Sequence, residues 1–272
     1  MRIDARKGRW RRGAATGFML HFAEQFLAEV QRVPDLSGVE HLLESASRDL
    51  GFRHYAMIHH DDARERRPGL IHMQNYPHGY AERYVAERLH RDDPVVHACT
   101  AANACFCWSE LPRLIRICER HRGFLERGAR AGVVDGITVP SFVLGERSGS
   151  CNFSGPRDPA RVGRFVGVVQ IVGSFAFQAA RRIVLGGRLR EVRAARLQPR
   201  QRECVVLAGQ GKSNTDIATI LGISVATVKS YIEAGCARYA VHNRTQLVIA
   251  AILDGEIGIH EIAPRQYRHL AD

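Results

Sequence analysis

A chain of 272 residues, 45% hydrophobic and 25% charged, has room for one large or two modest globular domains and is ordinary in composition. It contains no run of about 18 apolar residues, the length a membrane helix needs. No apolar run of signal-peptide length follows its basic start, so a cytoplasmic protein with no membrane partner is expected. The net charge of +11 is concentrated at the ends, and residues 1–14 alone carry six Arg/Lys against one Asp. That pattern favours an anionic partner only mildly, because basic ends are commonly just solvated.

In chain order, residues 1–14 read as a basic tail without fixed structure, and Met19 offers a second candidate start. Apolar residues at helical spacing predict a helix over 17–33, and Ser37 is placed to cap a second helix carrying Leu42, Leu43 and Leu50. FRHYAMI (52–58) and GLIHMQ (69–74) predict strands on either side of the charged loop DDARERRP. A helix bearing Tyr80 and Tyr84 follows, with both phenols on one face. GITVPSFVL (136–144) and GSCNFS (149–154) predict two more strands joined by the turn GERS, and a long helix covers roughly 160–185. Strands flanked by helices at both ends predict an α/β/α sandwich around a mainly antiparallel sheet over residues 15–185. Residues 186–196 read as a linker, 197–260 as a helical domain and 261–272 as a tail, for an α+β chain overall.

The seven cysteines form no paired CxxC, so buried, reduced thiols are the plain reading and no metal site is expected. No nucleophile elbow, phosphate loop or zinc-binding helix motif appears, so no catalytic residue is assigned. The Asp93-Pro94 pair suits a helix N-cap followed by proline in the first turn, and Tyr80 and Tyr84 suit a core with satisfied hydroxyls. The thirteen histidines look scattered, and His59-His60 at a strand end reads as surface.

The C-terminal third is the most informative. Pro199 starts one helix, Ser213 with Asp216 makes a capping-box pattern for a second, and Gly222 ends it. Ile223 is expected as a buried turn residue, Ser224 caps the third helix, and Asn243 with Gln246 opens a fourth. Two short helices joined by a tight glycine turn make a helix-turn-helix. Val228 and Ile232 of the third helix would face its partner. Ala226, Thr227, Lys229, Ser230 and Glu233 would lie on the open face, small enough at Ala226 and Thr227 for entry into a major groove.

Residues 197–255 closely resemble the DNA-binding domain of LuxR-type bacterial transcription regulators. The matched positions are Leu197, Pro199, Arg200, Glu203, Gly211-Lys212-Ser213-Asn214, Ile217-Ala218, Leu221-Gly222-Ile223-Ser224, Thr227-Val228-Lys229 and Asn243-Arg244-Thr245-Gln246. Gln201 departs from the family's glutamate. The resemblance implies binding of double-stranded DNA through Ser224, Ala226, Thr227, Lys229, Ser230 and Glu233, with Lys212, Asn214 and Arg244 beside them.

Upstream, Tyr76-Pro77, Tyr84, Asp93-Pro94-Val95, Phe106, Trp108, Gly136 and Val139-Pro140 resemble the acyl-homoserine-lactone-binding domain of quorum-sensing LuxR regulators in type and spacing. That resemblance implies a small-molecule autoinducer, with Tyr84 donating to its acyl carbonyl, Asp93 accepting from its amide N–H and Trp108 stacking on it. Phe106 and Asn152 would join the wall, and Pro94 and Gly136 would be structural. Tyr80 stands where the family has a tryptophan that donates to the lactone carbonyl, and Cys105 and Cys107 replace a proline-aromatic run. The expected protein is a homodimeric, ligand-responsive regulator on a palindromic promoter site. Two other readings stay open on sequence alone: an orphan regulator answering a non-lactone ligand or none, and a thiol-based redox or metal sensor using Cys99, Cys105, Cys107 and Cys118. An acyl-amide enzyme is the weakest rival.

Overall fold

A computed structural model describes residues 2–4, 9–11, 14–60, 69–77, 79–186 and 197–263, in two compact units, Met1–Arg188 and Leu189–Asp272. The charged loop 61–68, linker residues 187–196 and tail residues 264–272 lie outside the described residues.

The first unit begins with strands β1 (Arg2–Asp4) and β2 (Arg9–Arg11), an antiparallel ladder with Ile3 opposite Trp10. Of the basic tail expected over residues 1–14, these two short strands are the described part, with Ala14 beginning the first helix. Helices α1 (Ala14–Val30) and α2 (Leu36–Asp49) follow. The cap of α2 is Asp35 rather than Ser37: its Oδ1 accepts from Gly38 N–H at 2.9 Å and from the Ser37 hydroxyl at 3.0 Å. An ionised acceptor makes the stronger cap, and Ser37 becomes a first-turn residue.

Strand β3 is Phe52–His59, and β4 is only His72–Gln74, shorter than the expected 69–74, because residues 56–58 are the ones that find partners there. Then come α3 (Tyr80–Ala86), α4 (Pro94–Ala98), β5 (Phe106–Cys107), α5 (Leu111–Leu114) and α6 (Glu119–Arg130). Strands β6 (Gly136–Ser141) and β7 (Gly149–Pro156) lead to α7 (Val166–Val184), which a six-residue 3-10 segment, Pro159–Arg164, capped by Asp158 precedes.

The five-stranded sheet runs β4-β3-β7-β6-β5, antiparallel throughout. Alternation divides its residues between two faces. Tyr55, Met57, Ile137, Val139, Cys151 and Phe153 point to α1, α2 and α7 and form a dry core with Leu43, Val172 and Phe177. Ala56, Ile58, Ser150 and Asn152 point the other way, toward a cavity. A register shift of one residue would exchange the two sets, so the hydrophobic face pins the polar one.

The second unit holds α8 (Pro199–Gly209), α9 (Asn214–Leu221), α10 (Val225–Tyr239), α11 (Arg244–Leu253) and a one-turn α12 (Ile259–Ile262). Ser213, Ser224 and Asn243 cap α9, α10 and α11 as their side chains predict. Gln201 is buried and its side-chain oxygen accepts from Gln198 N–H at 3.1 Å, so it performs the N3 half of a capping box as a glutamate would. Gly222 takes φ of 66°, letting the chain turn 109° between α9 and α10. Val228, Ile232, Leu247, Ile217 and Cys204 meet in the core. Ile223 is half-buried rather than buried, because it caps the edge of that core. The fold extends to α12, where Arg202 donates to both oxygens of Glu261 at 2.7 and 2.8 Å. Among the described residues no single helix is long and apolar enough to cross a membrane.

Candidate functional site

The cavity lies between the polar face of the sheet and the segment from α3 to α6. Helix α3 places Tyr80 and Tyr84 on its inner face, in an aromatic row that runs Tyr76, Tyr80, Tyr84, Phe124 with ring centroids 5.6, 6.5 and 6.1 Å apart. Tyr80 is 6% exposed, and its hydroxyl lies against Gly128, where a Cβ would stand 3.5 Å from it.

Asp93 does two jobs. Its Oδ1 accepts from Val95 N–H at 2.8 Å as the N-cap of α4, and its Oδ2 accepts from the Tyr84 hydroxyl at 2.9 Å. The capping role read from Asp93-Pro94 and a role in the cavity wall are therefore compatible, because a carboxylate has two oxygens. Burial pushes this carboxyl up to about 6, against the Tyr84 and Val95 hydrogen bonds that lower it. Burial likewise raises Tyr84 well above an ordinary phenol, with the Asp93 charge adding to it.

Across the cavity, Trp108 Nε1 donates to Thr138 Oγ1 at 2.9 Å, and Thr138 donates to Asn152 Oδ1 at 2.7 Å. A Cβ on Gly136 would stand 2.5 Å from the Phe153 carbonyl oxygen and 3.0 Å from Trp108 Cε2, so glycine is required there by space. Tyr80, Tyr84, Asp93, Trp108 and Asn152 thus border one cavity. Phe106 does not. Its register opposite Thr138 puts it on the cavity face of the sheet, but Val95, Ala98 and Leu111 pack over it in a small core, so it stands behind the wall rather than in it. Pro94 is buried at the first turn of α4, beneath the wall residues Val95 and Val96.

Sequence reasoning missed part of the wall. His59, His60, His72, His90, Gln74 and Ser150 all border the cavity. The strand alternation Ala56-Ile58-His60 carried the signal, since it places His60 on the face shared with Asn152.

Three of the four cysteines considered as a sensor have their thiols held protonated, while Cys118 is exposed. Burial pushes Cys99 up to about 12 and Cys107 up to about 11, and raises Cys105 also, which disfavours the thiolate a sensor needs. Among the described residues no His/Cys/Asp/Glu group is arranged to hold a metal ion.

On the second unit, Ala226, Lys229 and Ser230 are exposed along α10, while Ser224 and Thr227 bond to each other through their hydroxyls at 2.8 Å. Lys229 Nζ lies 3.8 Å from Glu233 Oε1, which accounts for an acid on this face as the partner of a lysine one turn away. Arg244 donates to the Lys212 carbonyl at 2.6 Å and reaches Asn214 Oδ1 at 3.5 Å, tying the start of α11 to the start of α9. Its first task is therefore structural.

Residues 35–183 match the family described as autoinducer binding domain, and residues 195–251 match the bacterial regulatory proteins of the luxR family. The quorum sensing-dependent transcriptional regulator RpaR of Rhodopseudomonas palustris is 29% identical over 86% of this chain and 94% of its own length. The transcriptional activator BjaR1 of Bradyrhizobium diazoefficiens is 25% identical over 83% of this chain and 90% of its own. Escherichia coli SdiA in crystal form superposes with a TM-score of 0.54 at 20% identity, covering 90% of this chain and 99% of that one. The structural likeness supports the fold.

Proposed function

Since this chain belongs to the LuxR-type quorum-sensing transcription regulators, with an autoinducer-binding domain and a helix-turn-helix DNA-binding domain, we propose that its signal is an N-acyl-homoserine lactone or close relative. The family is one of regulators, not enzymes. Residues 15–185 would take the ligand, 186–196 would link, and 197–260 would bind DNA, in the cytoplasm where promoters are.

The hydrogen bond between buried Asp93 and half-buried Tyr84 carries this reading. A secondary amide in an apolar cavity needs an acceptor for its N–H and a donor for its carbonyl, or it loses binding energy. A phenol has one proton, and in this structure Tyr84 gives it to Asp93. Ligand binding would exchange partners: the amide N–H replaces Tyr84 at Asp93 Oδ2, and the released hydroxyl turns to the acyl carbonyl. Tyr80 would donate to the head group in place of the family's tryptophan, and Trp108 would pack against it. Asn152 would close the sheet side.

Acyl burial contributes about 25 cal/mol per Å² and stabilises the folded regulator by mass action. A dimer would then set two α10 helices one DNA turn apart on a palindromic site, with Lys229 and Ser230 reaching the groove and Lys212 a phosphate. The test is to express the protein with a panel of aliphatic and aromatic acyl-homoserine lactones, purify it and identify the retained molecule by mass spectrometry. A retained lactone supports the reading. Folded protein that retains none from the whole panel overturns it and makes Tyr80 the mark of another signal.

A further inference from the structure

Helices α3 and α6 face each other at the cavity as two matched turns. Tyr80 and Tyr84 are one turn apart on α3, and Phe124 and Gly128 are one turn apart on α6, so each pair shares a face. At one turn Tyr84 packs edge-on against Phe124, with ring centroids 6.1 Å apart and ring planes at 75°. At the other, Tyr80 meets Gly128, which offers no side chain. Tyr80 and Gly128 both border the cavity, and so does Val133 beside them.

The backbone does not demand this gap. Gly128 lies within α6 without a positive φ, in a setting where glycine is disfavoured relative to alanine. A Cβ there would stand 3.5 Å from the Tyr80 hydroxyl, an ordinary contact, and 3.2 Å from the Val133 carbonyl oxygen, which would have to give by a few tenths of an ångström. What an added methyl would take is the space beside the hydroxyl.

That hydroxyl is unspent. Tyr80 is 6% exposed, yet among the described residues its hydroxyl makes no hydrogen bond, whereas Tyr84 gives its proton to Asp93. Burial raises Tyr80 above an ordinary phenol, so it keeps its proton and can donate. A buried donor without a partner gains from any acceptor brought to it. The gap lies one turn from Tyr84, with the two tyrosine ring centroids 6.5 Å apart. In an acyl-homoserine lactone the ring carbonyl sits on the carbon next to the one bearing the amide nitrogen, so an amide held at Asp93 brings the ring to this turn. We propose that Gly128 selects the head group: the room left by its missing side chain seats the lactone ring, whose carbonyl oxygen accepts from the Tyr80 hydroxyl. This rests on the lactone reading above and adds the residue that admits the ring.

The experiment uses the full chain and a set of amides of one acyl acid: the homoserine lactone, the cyclopentylamide, which keeps a ring but lacks its carbonyl, and the N-methylamide, which has no ring. Affinities are read by isothermal titration, and folding by thermal melting. The wild type should bind the lactone at least about tenfold more tightly than the N-methylamide. Gly128→Ala should weaken both ring ligands at least about tenfold and the N-methylamide by less than about threefold. Tyr80→Phe should bring the lactone level with the cyclopentylamide. Wild-type lactone affinity in Gly128→Ala, or equal weakening of all the amides, overturns this inference and leaves the lactone reading standing. Should Gly128→Ala not fold, a lactone analogue carrying a diazirine on its ring takes its place: irradiated with the wild type, it should label Tyr80 or α6, and label confined to other elements overturns the seat. Folded wild type that binds no lactone overturns the lactone reading and this inference with it.

Discussion

The Tyr84 hydroxyl donates to Asp93 Oδ2 at 2.9 Å while Val95 N–H donates to Oδ1 at 2.8 Å, so both oxygens of a buried carboxylate are engaged without ligand. The pair holds a charge in a place that disfavours it, and that has measurable consequences.

A carboxyl moved by burial from 3.8 to about 6 withholds about 3 kcal/mol from the ligand-free fold at neutral pH. The folded chain keeps this proton between those values while the unfolded chain has lost it. The contribution is therefore fully present below about 4 and is lost as pH rises through 6. Asp93→Asn should melt higher than the wild type at pH 8 by a margin that shrinks toward pH 4, and should lose lactone response. Equal melting curves across that range would overturn the account.

Tyr80→Phe keeps the ring contacts to Tyr76 and Tyr84 and deletes only the hydroxyl beside Gly128. Ligand affinity should fall about tenfold, the worth of one hydrogen bond in a desolvated site, with little change in unliganded stability. Unchanged affinity by isothermal titration would remove Tyr80 from the head-group contacts.

Gly136→Ala drives a methyl into the Phe153 carbonyl and the Trp108 ring. Backbone cannot yield as a side chain can, so we expect a loss of about 1–3 kcal/mol, with Trp108 displaced. Chemical denaturation, with Trp108 fluorescence as a local reporter, checks both parts.

Lys229→Ala should weaken operator binding about tenfold and lower the salt slope by about one. Glu233→Ala should not weaken it, since removing an exposed partner 3.8 Å away frees the lysine and relieves an acid from the DNA-facing side. Binding titrations at several salt concentrations separate the two, and equal loss in both variants would count against these roles.

Much was legible along the chain because it depends on local chemistry. Ser213, Ser224, Asn243 and Gly222 act within one turn of themselves, so the helix-turn-helix boundaries follow from residue type and spacing. The period-2 pattern of β3 and β7 likewise announces two faces. Local rules also erred locally: Asp35 out-competed Ser37 as a cap, and α4 and α5, at five and four residues, are too short to show a period.

What the amino-acid order by itself determined was the two-domain plan, the antiparallel sheet between helices and the DNA-binding helix pair. Only the tertiary structure decided which polar groups share a cavity. Antiparallel registry sets Ser150 beside His60, 90 positions away in sequence, and packing of Val95, Ala98 and Leu111 over Phe106 takes that residue out of the wall. No local rule carries that information, because the partner of a buried hydroxyl is whichever strand residue the hydrophobic face brings opposite it.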